Sequence, residues 1–123
     1  MEVSDNIENI ENEQKLLDKL KKFNWGAFLL TWIWGLGNKT YISLLVFPIL
    51  ILSLIPIIGW ALPIAFSIWL GIKGNELAWN NKEWENIEHF DKIQRRWAIF
   101  GLIIILLFIC WTIFLMILPV IVQ

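Results

Sequence analysis

Every charged side chain of this chain lies before Trp97. From Trp97 to Gln123 the sequence reads WAIFGLIIILLFICWTIFLMILPVIVQ and holds no Asp, Glu, Lys, Arg or His. A helix crosses the hydrocarbon core of a bilayer with about 20 apolar residues, and this segment is longer than that. A second uncharged run extends from Thr40 to Ile72. A soluble fold of this size would not leave so much surface without charge, so we expect an all-α integral membrane protein.

The run from Thr40 to Ile72 is too long for one transmembrane helix, since it would measure about 50 Å at about 1.5 Å per residue. Pro56 and Gly59 near its middle indicate a turn. The sequence therefore predicts a helical hairpin with spans at 40–55 and 60–72, followed by a final span at 97–119. One broken span over 40–72 is the alternative.

The basic residues favour the hairpin over the broken span. Ten Lys and Arg side chains divide equally between the segment before Thr40 and the segment after Ile72. Cytoplasmic loops carry an excess of Lys and Arg, and only a hairpin places all ten on the cytoplasmic side. We therefore expect a multi-pass membrane protein with a cytoplasmic N-terminus.

Three further helices are predicted at the membrane surface. Residues 1–22 form a cytoplasmic amphipathic helix, either solvated or lying on lipid, with one apolar stripe made of Ile7, Ile10, Leu17 and Leu20. Residues 23–37 are apolar but shorter than a span, which indicates an interfacial or re-entrant helix. Residues 74–96 form a cytoplasmic surface helix, in which Glu83 and Gln94 intrude on the apolar face.

The nine tryptophans indicate anchoring at the membrane boundary. Tryptophan rings favour the headgroup layer, and arginine anchors the end of a span. We expect interfacial anchors at Trp25, Trp34, Trp60, Trp79, Trp97, Arg95 and Arg96. A lipid-headgroup or aromatic binding site is the alternative. Trp69 and Trp111 lie deeper in the predicted spans and are candidates for a ligand or partner contact.

A row of small residues predicts close helix packing. Ser67, Gly71, Gly74 and Ala78 fall on one helix face, where a second backbone can approach closely, and Asn75 beside them can form a hydrogen bond across such a contact. The partner is either another helix of this chain, with Gly101 as a recipient on the last span, or a second copy.

The sequence predicts no catalytic, cofactor or metal site. His89 is the sole histidine, and with Glu85 and Glu88 it does not supply the ligand set of a metal centre. The hydrocarbon stretches hold no ionisable residue of the kind that marks a pump or coupled transporter. A net charge of −1 gives no overall attraction to nucleic acid.

Two stretches carry a family resemblance: FNWGAFLLTWIWGLGNKTY from Phe23 to Tyr41 and GIKGNELAWNNKEW from Gly71 to Trp84. Together they resemble short bacterial multi-pass membrane proteins of a domain-of-unknown-function family. QRRWAIFG, from Gln94 to Gly101, is similar to a low-GC Gram-positive subset. The resemblance covers residues 23–101, and it implies a cytoplasmic membrane location and no established activity.

These observations predict a non-enzymatic accessory or interaction protein whose partners are membrane lipids and another membrane protein. Its oligomeric state is not specified by the sequence. An immunity protein against a membrane-active peptide is the first alternative, because such a protein needs little beyond an aromatic-rich apolar body. A channel or transporter subunit is the second, and it would require an oligomer to enclose a pore. A neighbouring toxin gene would favour immunity.

Overall fold

The computed structural model describes residues 1–122, and the regular elements within that range are all helical. In chain order they are α1 (Glu2–Lys21), α2 (Trp25–Gly37), a 3₁₀ helix (Tyr41–Leu45), α3 (Val46–Leu52), α4 (Ala61–Asn81) and α5 (Ile87–Val122). The expectation of an all-helical chain is therefore confirmed.

Among the described residues, α5 is the one helix long and apolar enough to cross a membrane. Its 36 residues would measure about 54 Å, and the part after Arg96 carries no charge. Large apolar side chains along this part, from Ile99 to Val122, are mostly exposed. Such an apolar surface is unfavourable in water, because each Å² of it that is buried lowers the free energy by about 25 cal/mol.

The surface helix predicted at 74–96 is wrong as a single element, whereas the uncharged segment of α5 begins at Trp97. Residues 74–81 belong to α4, and the chain breaks only between Asn81 and Ile87. The Trp84 indole N–H donates to the carbonyl of Ala78 at the end of α4, while the Asn86 side chain accepts from the backbone N–H of His89 at the start of α5. No Pro or Gly follows before Gly101, so α5 continues unbroken from the polar segment into the apolar one.

The hairpin predicted over residues 40–72 stays a prediction, because the helices of this segment are short or extend beyond it. Its first arm combines the 3₁₀ helix with α3 and would measure about 20 Å. Residues 53–60 form turns, in which the N–H of Gly59 donates to the carbonyl of Ile55, and α4 begins at Ala61. Two further complete crossings stay a prediction, because neither arm forms an apolar helix of span length.

Helix α2 is folded back on itself at Thr31. This residue has φ 33° and ψ −90°, outside the helical region, and it divides the helix into two short segments. A positive φ is a rare conformation for a β-branched residue. The Thr31 hydroxyl lies 3.3 Å from the carbonyl of Phe28 and 3.3 Å from the Ser67 hydroxyl, which joins the apex of the fold-back to α4.

The core forms where α4 and α5 pack against the folded-back α2. Its buried apolar members come from α2, α4 and α5: Ala27, Leu30, Trp34, Leu70, Ala78 and Phe90. Gly74 lets the backbones approach closely, since a Cβ there would lie 2.8 Å from the Cβ of Ala27. Helix α1 contributes Leu20 at the edge of this core, whereas Ile7, Ile10 and Leu17 of its predicted stripe are exposed.

Candidate functional site

Four buried carboxamide side chains meet inside the polar end of the helix bundle. Asn24, Asn38, Asn75 and Gln94 are each at most 8% exposed. They come from the two ends of α2, from α4 and from α5. A buried amide without partners costs about 1–3 kcal/mol, so their mutual hydrogen bonds decide whether the cluster is stable. We call these four residues the amide cluster.

Gln94 is the centre of the amide cluster. Its Oε1 accepts from Asn24 Nδ2 and from Trp34 Nε1, each at 2.9 Å. Its Nε2 donates to Asn38 Oδ1 at 2.7 Å. Asn24 precedes α2 and Asn38 follows it, so one glutamine side chain joins both ends of the folded-back helix.

Asn24 and Asn38 also cap the helix that they flank. The Asn24 Oδ1 accepts from the backbone N–H of Ala27 at 2.9 Å, as an N-cap residue does. The Asn38 Nδ2 donates to the carbonyl of Trp34 at 2.8 Å. Each side chain therefore satisfies an end of α2 and still reaches Gln94.

Asn75 connects the cluster to α1 and α4. Its Oδ1 accepts from Asn24 Nδ2 at 2.7 Å, and its Nδ2 donates to the carbonyls of Lys19 and Lys22 at 3.2 and 2.9 Å. The backbone N–H of Asn24 donates to the carbonyl of Gly71 at 2.7 Å. The cluster thus binds the end of α1, the start of α2 and the middle of α4 together.

A cleft of about 220 Å³ lies beside the amide cluster, where α1, α2, α4 and α5 approach one another. Polar, aromatic and charged side chains line it, together with one small residue: Lys19, Lys22, Phe23, Asn24, Trp25, Asn75, Phe90, Asp91, Gln94, Arg95 and Ala98. The cleft includes Ala98, at the start of the apolar part of α5.

Asp91 organises the charges at the mouth of this cleft. Its Oδ2 lies 2.8 Å from Lys19 Nζ and 3.3 Å from Arg95 Nη2. The hydrogen bond from Lys19 holds the pKa of Asp91 below its usual value; partial burial opposes this, and the charges of Lys19, Arg95 and Lys22 reinforce it. Asp91 is therefore ionised at neutral pH and fixes Lys19, at the end of α1, against α5.

The predicted small-residue row lies against α2 and the residues just before it. Ser67 meets Thr31, a Cβ at Gly71 would collide with the Phe23 ring, and Gly74 contacts Ala27. Ala78 is fully buried in the core. Gly101 of α5 also faces α2, since a Cβ there would lie 3.0 Å from the Cβ of Leu29.

The predicted interfacial anchors divide into exposed and packed residues. Trp25, Trp60, Arg95 and Arg96 are exposed. Trp79 is half-buried with its ring against Phe90, and Trp97 is half-buried against Gly26. The anchor role predicted for Trp34 is wrong. The fold-back of α2 buries this residue completely, and its indole N–H binds Gln94 instead of water.

The remaining residues singled out from the sequence lie away from the amide cluster. Trp69 and Trp111 are exposed, and their rings lie beside those of Phe66 and Phe114, respectively. His89 packs its ring edge-on near Trp84. A further residue, the single cysteine Cys110, is exposed on the apolar part of α5.

Asn75 and Gln94 stand out in the sequence pattern, whereas Asn24 and Asn38 were not predicted to take part in this site. The sequence does carry a signal for both residues. Asn24 immediately precedes an apolar stretch that begins with tryptophan, and Asn38 immediately follows the glycine that ends this stretch. Asparagine at such positions favours helix caps. Comparisons with protein-family models, curated proteins and solved structures find no match to this chain.

Replacing Gln94 with leucine should destabilise the folded protein by about 2–6 kcal/mol. The substitution leaves the Trp34 indole N–H and the Asn38 Oδ1 buried without their Gln94 partner, and each such loss costs about 1–3 kcal/mol. The free energy of unfolding in lipid nanodiscs, followed by circular dichroism, measures the effect. Gln14→Leu is the matched control, since Gln14 is exposed on α1. Equal small effects of the two substitutions would show that the amide cluster contributes nothing.

Proposed function

We propose that this chain is a small, non-enzymatic accessory or interaction protein of the bacterial cytoplasmic membrane. The observation that carries the proposal is the exposed apolar length of α5. Within the described chain this surface has no protein covering, so lipid or another membrane protein would solvate it. The polar amide cluster and the basic residues would lie together at its cytoplasmic end.

The chemistry of the buried polar groups supports a role without catalysis. Every carboxamide oxygen and nitrogen of the amide cluster has a hydrogen-bond partner within the cluster, on Trp34 or on the backbone. Such groups hold helices together and offer no acid, base or nucleophile. A protein built in this way acts through the surfaces that it presents.

We propose that α5 crosses the membrane once. We also propose that the hairpin enters the bilayer from the cytoplasmic side and returns to that side without crossing. Gly71 accepts from Asn24 at the level of the amide cluster, and α4 begins only ten residues earlier, at Ala61. That distance is about 15 Å along a helix, roughly half of the hydrocarbon core. The hairpin turn, with Leu54 and Ile57 strongly exposed, would therefore end within the bilayer. Two complete crossings remain the alternative.

Cysteine labelling of intact cells should locate these segments. In a Cys110→Ala background, we expect Val122→Cys to react with an impermeant thiol reagent from outside, and Asn81→Cys to react only after permeabilisation. Ile57→Cys should react from neither side, because lipid surrounds it. Reaction of Ile57→Cys from outside would establish complete crossings by the hairpin, and failure of Val122→Cys to react from outside would contradict the crossing by α5.

Photo-crosslinking in cells should test the interaction role. From residue 105 to residue 111, every position of α5 is exposed or half-exposed, so a crosslinking residue placed singly at each of these positions surveys every face. A protein partner packed on one face should give one stoichiometric crosslinked band, with capture recurring every three to four residues. Lipid adducts at every position and no protein band would contradict the proposal of an interaction protein.

A further inference from the structure

The mouth of the cleft beside the amide cluster carries an excess of positive charge. Lys19 and Arg95 share one carboxylate oxygen, the Oδ2 of Asp91. Lys22 also lines the cleft and is exposed, and no carboxylate of residues 1–122 lies within ion-pair distance of it. Three cationic side chains thus face one opening, and the single carboxylate there, that of Asp91, neutralises only part of their charge.

The floor of the cleft is polar and held in place. Asn24, Asn75 and Gln94 line it, and their amide groups are fixed by the hydrogen bonds of the cluster. Because the amide N–H groups of this floor are largely used within the cluster, the surplus cations at the mouth are the groups that would bind an anion, and a phosphate group accepts strong charge-assisted hydrogen bonds from such cations.

The position of the cleft along α5 indicates the source of such an anion. Its lining includes Arg95, just before the last charge of the chain, and Ala98, just after it. Trp25 on its wall is 58% exposed, as expected of a ring in the headgroup layer. The opening is therefore placed at the boundary between the polar and apolar parts of α5, where the phosphates of lipids would lie.

We infer that this cleft binds the phosphate headgroup of an anionic phospholipid of the cytoplasmic leaflet. The ammonium of Lys22 and the guanidinium of Arg95 contact the phosphate oxygens, and the amide floor sets the depth to which the headgroup enters. Lys19 stays with Asp91 and keeps α1 in place. The inference rests on the membrane placement proposed above.

The test compares two double variants of equal net charge in the full-length chain. Lys22→Gln with Arg95→Gln removes two cations of the cleft. Lys21→Gln with Arg96→Gln removes the adjacent cations, neither of which lines it. Each protein is incorporated into phosphatidylcholine nanodiscs, and binding of added phosphatidylglycerol is measured by native mass spectrometry. A chain that fails to incorporate would disprove the membrane placement before any binding is measured, so the two failures are distinguishable.

We expect the unsubstituted chain to bind phosphatidylglycerol in preference to phosphatidylcholine. The cleft variant should bind phosphatidylglycerol about tenfold more weakly, since two charge-assisted contacts are lost. The control variant should lose less than about threefold, because its charges act only through the general surface potential. Circular dichroism and the Trp34 indole resonance should be unchanged in both variants.

Three results would overturn the assignment. Equal weakening by the two double variants would mean that only general surface charge attracts the lipid. Equal binding of phosphatidylglycerol and phosphatidylcholine would mean that the headgroup charge is not recognised. If inorganic phosphate or glycerol phosphate competes at concentrations comparable to those of the lipid, the cleft takes a soluble anion and not a membrane lipid.

Discussion

The hydrogen bonds of Gln94 are the interaction on which the rest of this structure depends. They hold Asn24 and Asn38, the two ends of α2, at one carboxamide group. A straight helix would separate these residues by about 21 Å. The fold-back requires a positive φ at Thr31, and strain of that kind costs about 1–3 kcal/mol. The hydrogen bonds between the buried carboxamide groups contribute about 1 kcal/mol each and together offset this cost, provided that water is excluded from the cluster.

The surrounding helices take their positions from this closed α2. Asn75 fixes the end of α1 through two backbone carbonyls, and Gly74 allows α4 to approach Ala27. Gly101 likewise allows α5 to approach Leu29 closely. The charged cleft then results from the packing, because the end of α1 and the polar start of α5 are brought to the same side of the amide cluster. A polar, closely packed end and an uncovered apolar end thus belong to one small helical unit.

The sequence predicted the elements set by composition and helical period. The uncharged run after Arg96 identifies α5 as the membrane helix candidate, and the spacing of Ser67, Gly71, Gly74 and Ala78 identifies a close-packed face. The break at Thr31 had no such signal, because threonine is not a helix breaker. If the helix were straight, the sequence would predict that Trp34 is an interfacial anchor. The ion pair between Lys19 and Asp91 joins residues 72 positions apart, a contact that no local pattern reveals.

Through-space contacts of the Gln94 side chain test this account most directly. Magic-angle-spinning NMR of the ¹³C,¹⁵N-labelled chain in lipid bilayers can report whether the Gln94 carboxamide lies within about 5 Å of both Asn24 and Asn38, distances that follow from hydrogen bonds of this kind. We expect cross-peaks from Gln94 Cδ to Asn24 Nδ2 and from Gln94 Nε2 to Asn38 Cγ, and the loss of both in Gln94→Leu. Contact with only one asparagine would mean that α2 is not closed, and the account would be contradicted.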